Sequence, residues 1–270
     1  MKASVIMSTY NSVDWLEKVL WGFNAQSFTD FEIIIADDGS TDETKRKIEE
    51  LNQLFSIPII HVWHEDNGFQ KTKILNKAIV KSNSEYLIFT DGDCIPRFDF
   101  VETHMKYREQ GFFLSGGYFK LPMDISKMIT KQDIISQNCF NLNWLKSNGF
   151  DATLKSLKLT SSKIIGSLLN KITPTKPTWN GHNSSGWKQD LLSVNGFNEE
   201  MQYGGEDREL GERLFNFGLS SKQIRYSAIC VHLDHSRGYV TDEVWKKNNT
   251  IRNFTKVNKV IKTASGIFSN

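Results

Sequence analysis

The 270-residue sequence predicts an α/β fold with a mostly parallel central sheet flanked by helices. Three observations carry that expectation. Short apolar runs alternate with stretches of helical periodicity from residue 3 onward, the rhythm of βαβ units. One run, FEIIIA at residues 31–36, is almost continuously apolar, as a strand covered on both faces should be. The runs end in loops carrying Ser, Thr, Asp, Asn or His, and open α/β sheets bind ligands outside the carboxyl ends of their strands.

Taken in order, residues 3–8 form the first strand, and Asn11, Ser12 and Asp14 are candidate caps for a helix running to about Gln26. The second strand stops at Asp37-Asp38-Gly39-Ser40. Asp42 can then cap a helix with Ile48, Leu51 and Leu54 on one side. IPIIHVW supplies a third strand, and a helix is expected over 71–80. YLIFT at 86–90 is the fourth strand, halting at Asp91-Gly92-Asp93. A helix over 98–108 and a strand over 112–118 follow.

Residues 120–178 break this rhythm and are expected to be a helical insertion. Within them, Leu154, Leu157, Ile164, Ile165, Leu168 and Ile172 share one face at helical spacing, flanked by Lys155, Lys158, Lys163 and Lys171. Two readings fit: a helix packed on its own domain, or a basic amphipathic helix resting on an anionic membrane as a peripheral contact. Residues 179–240 return to compact, Gly- and aromatic-rich sequence, and 241–270 read as a basic tail. The expected organisation is one domain over 1–240, with a nucleotide-binding half at 1–119 and a catalytic half at 179–240.

Bulk properties exclude several classes. Thirty-three Lys and Arg against 31 Asp and Glu leave a net charge of +2, which argues against a nucleic-acid partner. Cys94, Cys139 and Cys230 are scattered and odd in number, a pattern that fits a reducing compartment better than a disulfide framework. Met1-Lys2 runs straight into a strand, and no apolar stretch approaches the ~20 residues of a membrane span, so a cytoplasmic location is expected.

Three constellations carry chemistry. At the end of an apolar strand, Asp91 and Asp93 stand one residue apart and can share a divalent cation that bridges diphosphate oxygens. A bare DxD is a weak motif, since a solvated turn has the same letters; the strand before it and the matching Asp37-Asp38 loop strengthen it. The second is Tyr203-Gly204-Gly205-Glu206-Asp207-Arg208-Glu209. Adjacent glycines let backbone approach a ligand, and the acids that follow open a helix. Helix capping accounts for an acid there, but a general base for an acceptor hydroxyl needs the same residue type. The third is His232-Leu233-Asp234-His235-Ser236-Arg237, in which two histidines could reach one metal if the chain turns; no Cys pair completes a structural zinc site.

In this order and spacing, these stretches resemble family 2 glycosyltransferases with the GT-A, Rossmann-like nucleotide-sugar-binding fold. They look most like the group that holds the first transferase domain of bacterial chondroitin polymerase and bacterial lipopolysaccharide and capsule glycosyltransferases. The carriers are IMSTYN, IIIADDGSTDET, HEDNGFQKTKILNKAI, YLIFTDGDCIP, NGHNSSGWKQDLLSVNGFNEEMQYGGEDREL and HLDHSRGY, over residues 3–120 and 179–240. The resemblance implies that Ser8, Thr9 and Tyr10 line the pocket for base and ribose. It implies further that Asp37 or Asp38 holds base or ribose, that Asn67, Gly68 and Lys73 border the nucleotide and diphosphate, and that Asp91, Gly92 and Asp93 face ribose and metal. The GGED stretch resembles that of animal β-1,4-galactosyltransferases, which implies Asp207 as base and Glu206, with Gly204 and Gly205, at the acceptor. By the same likeness His232 and His235 join Asp93 on manganese or magnesium.

The implied activity is an inverting, metal-dependent transfer of a hexosyl or N-acetylhexosaminyl unit from a nucleotide sugar, with UDP as the expected nucleotide, to a glycan or lipid-linked glycan in bacterial surface polysaccharide synthesis. The QxxRW motif of processive synthases is absent, which disfavours polymer extrusion. Two other classes compete. A sugar nucleotidyltransferase needs a Gly-rich, Arg- and Lys-bearing loop after the first strand, where this chain has STYNSVDW. A non-catalytic nucleotide-sugar- or glycan-binding protein needs neither the metal cluster nor the base. Trp63, Trp179, Asn183 and Trp187 are candidate sugar or acceptor contacts, although tryptophans are more often core. His64 is a candidate neighbour of the diphosphate, and Cys94 reads as a buried small residue rather than a nucleophile.

Overall fold

A computed structural model describes residues 1–235 and 241–268. The chain runs β1 (Ala3–Thr9), α1 (Val13–Asn24), β2 (Phe31–Asp37), α2 (Asp42–Leu54), β3 (Ile59–Trp63), α3 (Lys71–Lys81), β4 (Tyr86–Asp91), β5 (Cys94–Pro96), α4 (Phe100–Tyr107), β6 (Phe112–Ser115) and β7 (Gly117–Lys120). It continues through α5 (Met123–Met128), α6 (Lys131–Ile135), α7 (Leu142–Ser147), α8 (Lys163–Ile172), β8 (Ser184–Trp187), α9 (Lys188–Ser193), α10 (Glu206–Asn216), β9 (Ser220–Gln223), β10 (Ile229–His232) and α11 (Asp242–Val257).

Seven strands form the central sheet in the order β3-β2-β1-β4-β8-β6-β9. The pairs β3–β2, β2–β1, β1–β4 and β6–β9 are parallel, and β8 alone runs against its neighbours β4 and β6. Alternation along each strand feeds two cores. Val5, Met7, Ile33, Ile35 and Ile88 face α1, α2 and α4 on one side. Ile6, Ile34, Ala36, Leu87 and Phe89 face α3, α9 and α10 on the other. Burying both faces explains the unbroken apolar run of β2, and each fully buried Ile or Val contributes ~1.5–3 kcal/mol.

Several expectations shift. Ile48 and Leu51 of α2 are buried, but Leu54 is 63% exposed: six residues on from Ile48 at about 100° per residue, it has turned about 120° away from that face. The strand expected over 112–118 is two strands in two sheets. The chain crosses at Gly116, where a Cβ would fall 2.1 Å from the Asn183 amide. The single amphipathic helix expected around 154–172 is a 3₁₀ turn over Leu154–Leu159 followed by α8. Leu154, Leu157, Ile164, Ile165, Leu168 and Ile172 point to solvent, not to the domain, while Leu159 joins the core.

The front of the 120–178 segment is not a separate body, since Ile125, Ile129, Ile134, Phe140 and Leu145 belong to the same core as β1 and β2. The basic segment beyond residue 240 forms α11, which is tied to α10: Arg252 donates to Glu212 at 2.6 Å, and Thr255 Oγ1 to Glu209 at 3.0 Å.

A second, three-stranded sheet in the order β5-β10-β7 sets up the site. β10 runs antiparallel to β5, with His232 opposite Cys94, and Leu233 N donates to Asp93 O at 2.9 Å. This small sheet carries the third constellation to the loop that follows β4.

Candidate active site

A cleft of about 500 Å³ opens at the carboxyl ends of β1 and β4, within the size range of small-molecule sites. Parallel register puts Ser8 beside Asp91, and Gly92 N donates to Ser8 O at 2.8 Å. Ser8, Thr9, Tyr10, Asp38, Gly68, Asp91, Gly92, Asp93, His232 and His235 all line the cleft. Thr9 Oγ1 is buried with no partner among the described residues, so a ligand atom there would satisfy it. Tyr10 stands at the mouth, half exposed, donating from Oη to Asp66 at 2.9 Å.

The two acids of the second loop divide. Asp37 is fully buried, accepts from Ser40 N at 2.9 Å and meets His61 Nε2 at 2.8 Å, so it braces the loop. Asp38 lines the cleft, with Gln70 N at 3.0 Å and His64 Nε2 at 2.8 Å. His64 is thereby engaged by Asp38.

The acids of the DGD loop divide as well. Asp91 Oδ1 accepts from Ser8 Oγ at 2.7 Å and from Lys71 Nζ at 2.8 Å. Burial opposes its charge, yet Lys71 holds its carboxyl well below the usual range. Asp91, expected to face ribose or metal, lines the cleft in this ion pair. Asp93 Oδ2 lies 3.0 Å from His235 Nε2 and 3.4 Å from His232 Nε2, the two rings stacked 5.4 Å apart. Cys94 Sγ donates to Asp93 Oδ1 at 3.3 Å. Burial pushes the Cys94 thiol well up, so it is a neutral donor and not a nucleophile. Donor atoms of Asp93, Cys94 and His232 lie within 4.8 Å of one another. A carboxylate and two imidazoles converging on one point are a donor set that fits a divalent cation. Ser236 and Arg237 of the same stretch lie outside the described residues.

Gly204 and Gly205 have φ of +105° and +97°, and Gly205 is the N-cap of α10. A Cβ on Gly204 would sit 2.9 Å from the Trp245 ring, so α11 presses directly on this turn. Glu206 is buried and accepts from Gly204 N at 2.7 Å. Asp207 packs against Gly181, where a Cβ would lie 2.8 Å from Oδ2, and its Oδ1 is buried with no partner among the described residues. Burial, reinforced by Glu206, pushes the Asp207 carboxyl up to about 7 against the pull of Lys71 and the Gly181 N–H. Glu206 and Asp207 do not line the cleft themselves; their charges act on Lys71, which does.

Some expected contacts are elsewhere. Trp187 pairs with Tyr86, the first residue of β4, roughly 16 Å along the strand from Asp91, and its Nε1 donates to Glu109 O. Asn183 is fully buried, donating to Gly117 O and Ala228 O and meeting His104 Nε2 at 3.0 Å, which leaves it no reach to an acceptor. Trp179 is fully buried in the core beside Phe89 and Phe113. Trp63 is half exposed and donates to Ser40 O. Asn67 is exposed, and neither it nor Lys73 lines the cleft.

Lys71 takes the place expected of Lys73. Residues two apart on a helix point to different sides, so only one of the pair can face the cleft. A signal existed: a lysine in the first turn of a helix with no acid in that turn opposes the helix dipole and implies a local anion. His182 has no such signal. It lies under the Tyr118 ring, centroids 4.6 Å apart, and burial pulls its imidazole down to about 4, leaving it neutral beside the acids. Trp15, Phe69 and Tyr203 also line the cleft, with Phe69 and Tyr203 meeting edge to face at 5.9 Å.

These features define an α/β protein with a ligand cleft at the carboxyl ends of its parallel strands. Residues 4–155, more than half of the chain, match the model described as "Glycosyl transferase family 2", and the chain belongs to that family. Residues 170–236 match a second model, "N-terminal domain of galactosyltransferase". The chain is 26% identical over 267 residues to the uncharacterized glycosyltransferase YfnE of Bacillus subtilis, covering 87% of this chain and 65% of that protein. It is 25% identical over 264 residues to chondroitin synthase of Escherichia coli, covering 92% and 37%. It thus spans less than two thirds of either relative. The structure of S. aureus TarS 1-349 in complex with UDP-GlcNAc superposes with a TM-score of 0.60 at 18% identity, covering 97% of this chain and 70% of that one. The fold is GT-A.

Proposed function

We propose that the protein is an inverting, divalent-cation-dependent glycosyltransferase that moves a hexosyl or N-acetylhexosaminyl unit from a UDP-sugar to a hydroxyl of a glycan or lipid-linked glycan acceptor, in bacterial surface polysaccharide or lipopolysaccharide synthesis. The observation that carries this reading is the unpartnered, buried Oδ1 of Asp207, on a carboxyl raised to about 7. A general base poised near the working pH, with one oxygen unspent, is what an acceptor hydroxyl requires. UDP-GlcNAc is the donor in the TarS complex, which supports a UDP-sugar here. The three free, buried cysteines support a reducing, cytoplasmic setting.

In this reading Ser8, Thr9, Tyr10 and Asp38 hold the nucleoside, with Gly68 and Lys71 beside the diphosphate. Asp93, His232 and His235 would hold manganese or magnesium, whose charge would offset that developing on the diphosphate leaving group. Asp207 takes the acceptor proton as the hydroxyl oxygen bonds to the anomeric carbon and the bond to the nucleotide breaks on the opposite face. Gly181 N–H holds the carboxylate, Glu206 helps bind the acceptor, and the Tyr203-Gly204-Gly205 turn borders it. In-line displacement on an α-linked donor gives a β-glycoside. Incubating the protein with UDP-GlcNAc, manganese and oligosaccharide acceptors, then reading the anomeric proton coupling of the product, tests this directly. An α-linked product would overturn the single-displacement reading.

A further inference from the structure

The helix α8 is docked the wrong way round for a soluble protein. Gly166 faces inward so closely that a Cβ would fall 2.4 Å from Tyr226 O. One turn on, Asn170 Oδ1 accepts from Tyr226 N at 2.8 Å, its Nδ2 donates to Ser227 Oγ at 2.8 Å, and its carbonyl accepts from Gln223 at 3.0 Å. The polar and small side of the helix is therefore the glued side. At 3.6 residues per turn the opposite side carries Ile164, Ile165, Leu168 and Ile172, which are 82%, 48%, 55% and 63% exposed. The 3₁₀ turn before it adds Leu154, 88% exposed, and Leu157, 50% exposed. Amphipathic surface helices ordinarily turn this stripe inward.

Charge identifies what covers the stripe. Residues 152–189 contain no Asp or Glu, and Lys155, Lys163 and Lys171 are exposed beside the apolar side chains. A second copy pairing through the same face would bring these lysines against one another, because a two-fold contact meets itself. Anionic lipid headgroups complement them, while the acyl boundary takes the isoleucines and leucines. We infer that residues 154–172 dock the protein on the surface of an anionic bilayer, α8 lying in the interface plane. The face adjoins the cleft: Lys158 Nζ donates to Tyr118 O at 3.0 Å, and the Tyr118 ring touches both His182 and His232. Docking would bring the acceptor side of the site to the membrane. The inference goes beyond the transfer reading and does not need it.

The test is co-sedimentation of the full chain with phosphatidylcholine vesicles, with and without phosphatidylglycerol, alongside sedimentation equilibrium without lipid. Pelleting with the anionic vesicles only, weakened by salt, is expected. Ile164→Glu/Leu168→Glu should lower the partition by about ten-fold or more, as removal of apolar anchors does. Both side chains are already exposed, so folding is checked by an unchanged melting temperature. Lys155→Glu/Lys163→Glu/Lys171→Glu, a second variant that leaves the apolar face intact, should lose the preference for anionic lipid. Absence of pelleting, or pelleting that neither variant changes, overturns the inference. A lipid-free dimer that Ile164→Glu/Leu168→Glu converts to monomer overturns it too, by assigning the face to a second copy. UDP-GlcNAc binding, measured in parallel, keeps the outcome separate from that of the transfer reading.

Discussion

Lys71 Nζ lies 2.8 Å from Asp91 Oδ1, and the same ammonium feels the charges of Asp207 and Glu206. Burial pulls its pKa down, but Asp91 foremost, with the other two acids, holds Lys71 well above the usual lysine range. One cation thus links the carboxyl end of β4 to the start of α10, elements 115 positions apart in sequence from Asp91 to Glu206. Replacing it separates two roles. Lys71→Met should weaken UDP-sugar binding and move the acidic limb of the pH–rate profile upward, because a charge that lowers the Asp207 pKa is gone. Lys73→Met should leave both unchanged in calorimetry and initial-rate assays.

Asp207→Asn should retain donor binding by titration calorimetry while transfer falls ~10²–10⁴-fold, the range for loss of a general base. Transfer at the wild-type rate would remove Asp207 from the chemistry.

The raised carboxyl also fixes a pH dependence. With Asp207 at about 7, the free protein carries it protonated in acid, so kcat/KM should rise with pH and level off above about 7. Stability runs the other way. Between its ordinary value of 3.8 and about 7 the folded state binds the extra proton, so this contribution is present at low pH and lost as pH rises through about 7. Asp207→Asn should therefore melt higher than wild type at pH 8, with no gain at pH 4.

Chelation with EDTA should abolish transfer, and manganese should restore it. Asp93→Asn and His235→Ala should raise the manganese needed for half-maximal rate without lowering the melting temperature of the metal-free protein. Full activity after exhaustive chelation would exclude the Asp93–His232–His235 site.

Behind the site, Glu209 and Arg213 pair at 2.8 Å with both side chains buried, and Arg213 also donates to Gly196 O at 2.7 Å. Arg213→Met leaves Glu209 as an uncompensated buried charge and should cost ~3–5 kcal/mol in urea denaturation.

The four parallel strands and their helices were legible because local pattern specifies them: FEIIIA reads as a doubly covered strand, and DGD follows the apolar run of another. The alternation of core faces in β1, β2 and β4 follows from the same pleat. Sequence also marked the unusual apolar stripe of residues 154–172, because helical spacing is local. It left open which way that stripe faces.

What the sequence by itself determined is the parallel α/β frame and the residue types able to hold a nucleotide, a cation and a proton. Tertiary structure decided where each of a pair stands: Asp38 rather than Asp37 on the cleft wall, Lys71 rather than Lys73 beside Asp91, and Asp93 rather than Asp91 beside the imidazoles. It also sent Trp187 to the far end of the sheet and Asn183 into its interior. The reason is physical. Strand and helix period depend on neighbours a few residues away, whereas a carboxylate's partner depends on register between strands such as β5 and β10, more than 130 residues apart in the chain.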